Sequence, residues 1–115
     1  MKILVVEDEP LVAMAVEDAL TSAGITVVGP AGSITGALKL IEAGGIDGAF
    51  LDVNLRGERI DPVADALDAR GIPFVFTTGY GAAELPAAHA ARPMLGKPFS
   101  DDDVTRALAQ NLRRA

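Results

Sequence analysis

Cysteine is absent from the sequence, so neither a disulfide framework nor thiolate chemistry is available, a pattern compatible with a reducing compartment. Aromatic residues make up only 4%, which leaves any core largely aliphatic. Positive charge is scarce: ten Lys and Arg stand against sixteen Asp and Glu, for a net charge of -6. A nucleic-acid surface needs clustered Lys and Arg, so direct DNA binding is not expected. Long hydrophobic runs are missing as well. The first apolar stretch, residues 3–6, is broken at once by Glu7, Asp8 and Glu9, which argues against a signal peptide or membrane span and for a cytoplasmic protein. There is no G-x-x-x-x-G-K-[ST] run to support a P-loop. What is present is a globular composition. Its 115 residues are half hydrophobic and 23% charged, enough for one domain with one continuous core and nothing left over for a second.

Short apolar runs alternate with helical patterns, the arrangement that gives parallel strands with crossover helices. Residues 3–6, Ile-Leu-Val-Val, read as a central strand buried on both faces. Pro10 sits where a first helical residue belongs, and Val12, Val16, Ala19, Leu20 and Ala23 form one stripe before Gly24. Residues 26–28 predict a second strand. Ser33 then caps a helix in which Ile34, Ala37, Leu38 and Ile41 follow helical spacing up to Gly44 and Gly45. A third strand over residues 48–51 runs into Asp52, and a polar loop leads to Asp61 and Pro62 as cap and first residue of a third helix. Residues 73–77 predict a fourth strand. The alanine-rich stretch 81–92 predicts a fourth helix, short and weakly packed because Pro86 lies inside it. Residues 94–96 form a brief fifth strand, and Ser100 with Asp101, Asp102 and Asp103 opens a last helix whose Val104, Leu108 and Leu112 face the sheet. Arg106, Arg113 and Arg114 complement that helix's C-terminal end.

In an open parallel sheet the functional crevice lies beyond the carboxyl ends of the strands. The residues found there are Glu7 and Asp8, Asp52, Thr77 and Thr78, and Lys97. Three clustered carboxylates repel one another by a few kcal/mol each and raise their pKa values unless a cation is present. Magnesium suits such a site, because it takes a few oxygen ligands and completes its shell with water and phosphate oxygens. Phosphoryl transfer needs an in-line nucleophile and neutralisation of the equatorial oxygens. Asp52 fits the nucleophile, Glu7 and Asp8 the metal ligands, Lys97 a point charge for one phosphoryl oxygen, and Thr78 a hydrogen-bond donor for another.

Across essentially its whole length the chain resembles the receiver domains of two-component response regulators. The resemblance rests on Val5-Val6-Glu7-Asp8-Glu9-Pro10, with Glu in place of the commoner first Asp, on Phe50-Leu51-Asp52-Val53-Asn54-Leu55, and on Lys97-Pro98-Phe99. It implies a flavodoxin-like, doubly wound five-stranded parallel sheet in the order 2-1-3-4-5 with five helices, forming a single receiver domain over residues 1–115 with no effector domain. It also implies that Asp52 is the phosphoacceptor, that the backbone carbonyl of Asn54 completes the magnesium site, and that the peptide before Pro98 is cis. Residues 73–80, Pro-Phe-Val-Phe-Thr-Thr-Gly-Tyr, are similar to the PFxFATG[G/Y] motif of stand-alone receivers linked to general stress response phosphorelays, with Thr77 replacing the motif's alanine. On that alignment Thr78 is the switch threonine, and Met94 stands where most receivers carry a switch Tyr or Phe.

Tyr80, the only tyrosine, is either a recognition and switch residue or cover for the loop above strand four. Met94 reads as core filler. His89, the only histidine, reads as an exposed helix residue and not as a phosphodonor. A partner histidine kinase or phosphotransfer protein must then supply the phosphoryl group, and the chain either switches its contacts with a downstream protein partner or relays phosphate between other proteins. Two rival readings fare worse. A phosphatase of the haloacid dehalogenase type needs a second Asp where this chain has Asn54, and a pseudo-receiver has no reason to keep Glu7, Asp8, Asp52, Thr78 and Lys97 together. The expected protein is therefore a phosphoacceptor switch rather than an enzyme.

Overall fold

The computed structural model describes residues 1–79 and 81–112. In chain order its elements are β1 (Lys2–Val6), α1 (Pro10–Ser22), β2 (Thr26–Ala31), α2 (Ile34–Ala43), β3 (Gly48–Asp52), β4 (Asn54–Leu55), β5 (Glu58–Arg59), α3 (Asp61–Ala69), β6 (Phe74–Thr78), β7 (Met94–Gly96) and α4 (Asp101–Ala107). Five strands form a parallel sheet in the order β2-β1-β3-β6-β7, while β4 and β5 pair as a separate antiparallel ribbon. With the ribbon set aside, this is the expected 2-1-3-4-5 order.

Strand side chains alternate between two cores, as the two-residue period of a strand requires. Ile3, Val5, Phe50 and Val75 meet Val16, Ala19 and Leu20 of α1 and Val104 and Ala107 of α4. Leu4, Val6, Ala49, Leu51, Phe74 and Phe76 meet Ala37 and Ile41 of α2 and Val63, Ala64 and Leu67 of α3 on the opposite face. Each fully buried Phe, Leu or Ile contributes roughly 1.5–3 kcal/mol, so both faces of the sheet hold it together. Local signals set the helix starts. Ser33 Oγ accepts from the Gly36 N–H at 3.0 Å, and Ser100 and Asp103 form a reciprocal capping box. Past Ala107 the last helix continues into one wider π-helical turn, Leu108–Leu112, which keeps Leu108 and Leu112 buried as expected.

β2 is longer than residues 26–28. It crosses a register shift against β1 and a cis Gly29–Pro30 peptide to reach Ala31. Gly29 has a φ of 98°, and a Cβ there would lie 2.9 Å from the Val5 carbonyl oxygen, so only glycine fits this approach. The polar loop after Asp52 is the β4–β5 hairpin. Arg56 and Gly57 form its two-residue turn with φ of 51° and 79°, the type I′ pattern.

The expected fourth helix is absent, so the described residues contain four α-helices and not five. Stretch 81–92 instead holds two short 3₁₀ turns, Ala82–Glu84 and Ala87–His89. Pro86 has no N–H to give to a helix and disfavours helical backbone before it. Nor is this stretch loosely packed, since Leu85, Pro86 and His89 are buried. His89, expected at the surface, is 5% exposed: its Nε2 lies 2.7 Å from Asp65 Oδ1 on α3, and its ring packs edge-on against Phe74 and Phe76. Met94, expected in the core, is 41% exposed on β7. Strand alternation sends its neighbour Leu95 inward instead. Tyr80, Arg113 and Arg114 lie outside the described residues, and Arg106 pairs with Asp103 one turn back at 3.5 Å.

Candidate functional site

Four strand ends build the site at the carboxyl edge of the sheet. After β1 the Glu7 N–H donates to the Ala31 carbonyl at 2.9 Å, so the bulged end of β2 fixes where Glu7 leaves the sheet. Its carboxylate turns inward and accepts from the Glu9 N–H at 3.2 Å. Asp8 is half-buried beside it and pairs with Arg56 of the hairpin turn, Nε to Oδ2 at 3.5 Å. β3 delivers Asp52, buried at 3% exposure, whose Oδ1 accepts from the Asn54 N–H at 3.1 Å. At the end of β6 the Thr78 carbonyl accepts from the Lys97 N–H at 2.8 Å, which ties the start of the cis Lys97–Pro98 turn to the sheet.

The Lys97 ammonium then reaches back across the site. Its Nζ lies 3.1 Å from Glu7 Oε1 and 3.3 Å from Asp52 Oδ2. Oxygens of Glu7, Asp8 and Asp52 all fall within 4.8 Å of one another. Burial, then the hydrogen bond and charge of Asp52, push the Glu7 carboxyl up to about 7. Burial works against the Lys97 charge, but the hydrogen bond to Glu7 and the charges of Asp52 and Glu7 outweigh it and raise the ammonium's pKa. The cluster therefore carries more negative charge than one lysine neutralises, and its donors are all oxygen. Those are conditions that suit a magnesium ion, and Glu7, Asp8 and Asp52 could hold one.

A cavity of about 330 Å³ opens over Asp52 and is lined by Glu9, Asn54, Gly79, Glu84 and Lys97. Of the residues expected here, Glu7, Asp8, Asp52, Asn54 and Lys97 come together. Thr78 ends the adjoining strand, 1% exposed, with its Oγ donating to Glu84 Oε1 at 2.7 Å and 3.4 Å from the Gly81 carbonyl. Met94 does not join them: it sits opposite Phe76 on the outer strand. Tyr80 lies outside the described residues. Sequence reasoning missed Glu84, the Arg56–Asp8 pair and the His89–Asp65 contact. The available signal for Glu84 was its standing as the lone acid in the alanine-rich stretch. Nothing local marked the other two.

The sequence matches the response regulator receiver domain family over residues 3–109. It is 32% identical over 115 residues to the Phyllosphere-induced regulator PhyR of Methylorubrum extorquens, an alignment covering 96% of this chain and 43% of that protein. The chain spans about half the length of the curated relatives it matches. Among solved structures it overlays on SdrG from Sphingomonas melonis Fr1 with a TM-score of 0.85 and 53% identity, covering 95% of this chain and 93% of that one. The overlay on the BeF3-activated conformation of SdrG from Pseudomonas melonis Fr1 gives 0.80 and 52%, covering 94% and 92%. The strand-end carboxylates, the lysine that faces them and the family match agree, and this chain belongs to the response regulator receiver domains of two-component signalling.

Proposed function

We propose that the chain works as a response regulator receiver that takes a phosphoryl group onto Asp52 from a histidine kinase or a phosphotransfer protein. The observation that carries this reading is the setting of the Asp52 carboxylate: Oδ1 is oriented by the Asn54 N–H, Oδ2 faces Lys97, and a cavity opens above it. A Asp52 oxygen attacks phosphorus in line, the bond from phosphorus to the donor's histidine nitrogen breaks, and the nitrogen keeps the electron pair. Lys97 loses one carboxylate partner as Asp52 becomes an acyl phosphate and pairs with a phosphoryl oxygen in its place. Thr78 supplies a hydroxyl to a second oxygen. Glu7, Asp8 and Asp52, with the Asn54 carbonyl, would hold a magnesium ion, which would supply positive charge beside the phosphoryl oxygens. Such a protein is a switch and not a classical enzyme.

The donor has to cover the rim of the cavity to bring its histidine to Asp52. Beside that rim a groove of about 400 Å³ runs between Leu11, Val12 and Ala15 of α1 and Lys97, Pro98 and Phe99. Leu11 is 81% exposed there, an apolar side chain with no cover, and we assign the groove to the phosphodonor protein. The PFxFATG[G/Y]-like run at residues 73–80 and the likeness to PhyR and SdrG support a place in a general stress response phosphorelay, inside the cytoplasm. Tyr80 and Thr78 are then the residues through which phosphorylation changes contacts with a downstream protein.

Phosphotransfer profiling against the histidine kinases and phosphotransfer proteins of the source cell tests the proposal. A small set of donors should label the wild type and none should label Asp52→Asn. Leu11→Glu should slow transfer from the cognate protein donor at least about tenfold and leave labelling by acetyl phosphate unchanged. Equal transfer to Leu11→Glu would move the donor surface elsewhere.

A further inference from the structure

We propose that Glu84 is a positioning residue that competes with the phosphoryl group for the hydroxyl proton of Thr78, and so restrains the switch until Asp52 is modified. This rests on the reading of Asp52 as phosphoacceptor. A threonine hydroxyl has one proton to give, and of the two acceptors beside it Glu84 Oε1 at 2.7 Å is much nearer than the Gly81 carbonyl at 3.4 Å. That proton cannot serve a phosphoryl oxygen at the same time. Glu84 also lines the cavity that contains Asp52 and Lys97, so its carboxylate faces the space that added phosphoryl charge would enter.

The surroundings make this hydrogen bond the breakable link. Far from the site, residues 85–92 are fastened to α3 and β6. Leu85 and Pro86 are buried, His89 meets Asp65, and Arg92 pairs with Asp68 while stacking 4.7 Å from the centre of the Phe74 ring. Near the site, the Ala82–Glu84 turn is closed by the Glu84 N–H to Gly81 carbonyl bond at 3.2 Å, and the Thr78–Glu84 contact attaches it to the sheet. When a phosphoryl group arrives, its oxygens are stronger acceptors for Thr78 and its charge repels the Glu84 carboxylate. Both effects act in the same direction. The Thr78 hydroxyl turns to the phosphoryl group, Glu84 is released, and the turn moves against a far end that stays in place. Glu84 thus sets how much of the phosphoryl group's binding energy is used to open the turn.

Beryllofluoride with magnesium, titrated while amide resonances are recorded, tests this. Glu84→Ala should bind beryllofluoride about tenfold more tightly than wild type, the effect of removing one charge-assisted hydrogen bond. Its unliganded resonances at residues 83–85 should already be displaced toward the beryllofluoride-bound positions, with those at 87–92 little changed. Glu84→Gln, which keeps an acceptor for Thr78 but loses the charge, should fall between the two. In a Thr78→Val background the gain from Glu84→Ala should shrink to threefold or less. Unchanged affinity and spectra in Glu84→Ala overturn the proposal, and an equal gain in the Thr78→Val background reduces Glu84 to a bystander charge. If the wild type fails to bind beryllofluoride in an Asp52-dependent way, the phosphoacceptor reading itself fails instead.

Discussion

Glu7 carries the site's excess negative charge in a form that can be measured. Its carboxyl is pushed up to about 7 by burial and by Asp52, so near neutral pH a metal ion held there, as proposed, would compete with a proton for the same oxygens. Magnesium affinity should therefore rise as the pH goes from about 6 to 8, with up to one proton released per ion near pH 7. Titration calorimetry in buffers of different ionisation enthalpy reads that release. Without metal the sign for stability is the opposite. The folded-state value lies above the ordinary 4.5, so the folded protein holds this proton more tightly than the unfolded chain. The Glu7 contribution is fully present below 4.5 and is lost as the pH rises through about 7. Glu7→Gln should abolish both trends, and proton-free magnesium binding by the wild type would remove Glu7 from the metal site. At this scale the sequence was informative, because Glu7, Asp8, Asp52 and Lys97 each follow a strand and strand ends meet at one edge. Glu84 was not legible: its role depends on a 2.7 Å contact with Thr78 that no spacing rule encodes.

Among the elements, those announced by local chemistry came out close to expectation. Ser33 and Ser100 start α2 and α4 with side-chain caps, and Pro10 opens α1. Limits shifted where only backbone pairing decides, by one residue at β6, which runs from Phe74 to Thr78 in place of residues 73–77, and by three at the end of β2. Stretch 81–92 departed furthest. Its alanines suggested a helix, but Pro86 interrupts the amide ladder, and the stretch holds its shape through contacts with α3 and β6 that lie far off in sequence. His89 is the clearest case, since a histidine among alanines looks solvated until Asp65, Phe74 and Phe76 surround it. His89→Ala should lower the unfolding free energy by about 2–3 kcal/mol, through the lost packing and the lost hydrogen bond to Asp65. An exposed histidine would change it by no more than about 0.5 kcal/mol. Urea unfolding of the two proteins separates these outcomes, and a change within the smaller bound would contradict a stabilising role for the His89 contacts with Asp65, Phe74 and Phe76.

The central strands β1, β3 and β6 are buried on both sides, and the ends of β1, β3, β6 and β7 bring Glu7, Asp52, Thr78 and Lys97 to one edge of the sheet. Burial of the central strands on both faces explains why the strands could be read from apolar runs of four or five residues, since such strands have no polar face to show, whereas their order came from the resemblance to receiver domains. The same burial keeps the carboxylates of Glu7 and Asp52 rigid beside Lys97. On the proposed reading, a constellation on strand ends beside a short turn tied to Thr78 through Glu84 suits adding charge at one point and moving a segment at another. All of it depends on Asp52 taking the phosphoryl group. The most direct measurement is the intact mass of the protein after incubation with acetyl phosphate and magnesium, made on the wild type and on Asp52→Asn. The account predicts a single added phosphoryl group on the wild type, lost on treatment with hydroxylamine as an acyl phosphate should be, and no addition to Asp52→Asn. Equal labelling of the two proteins would contradict it.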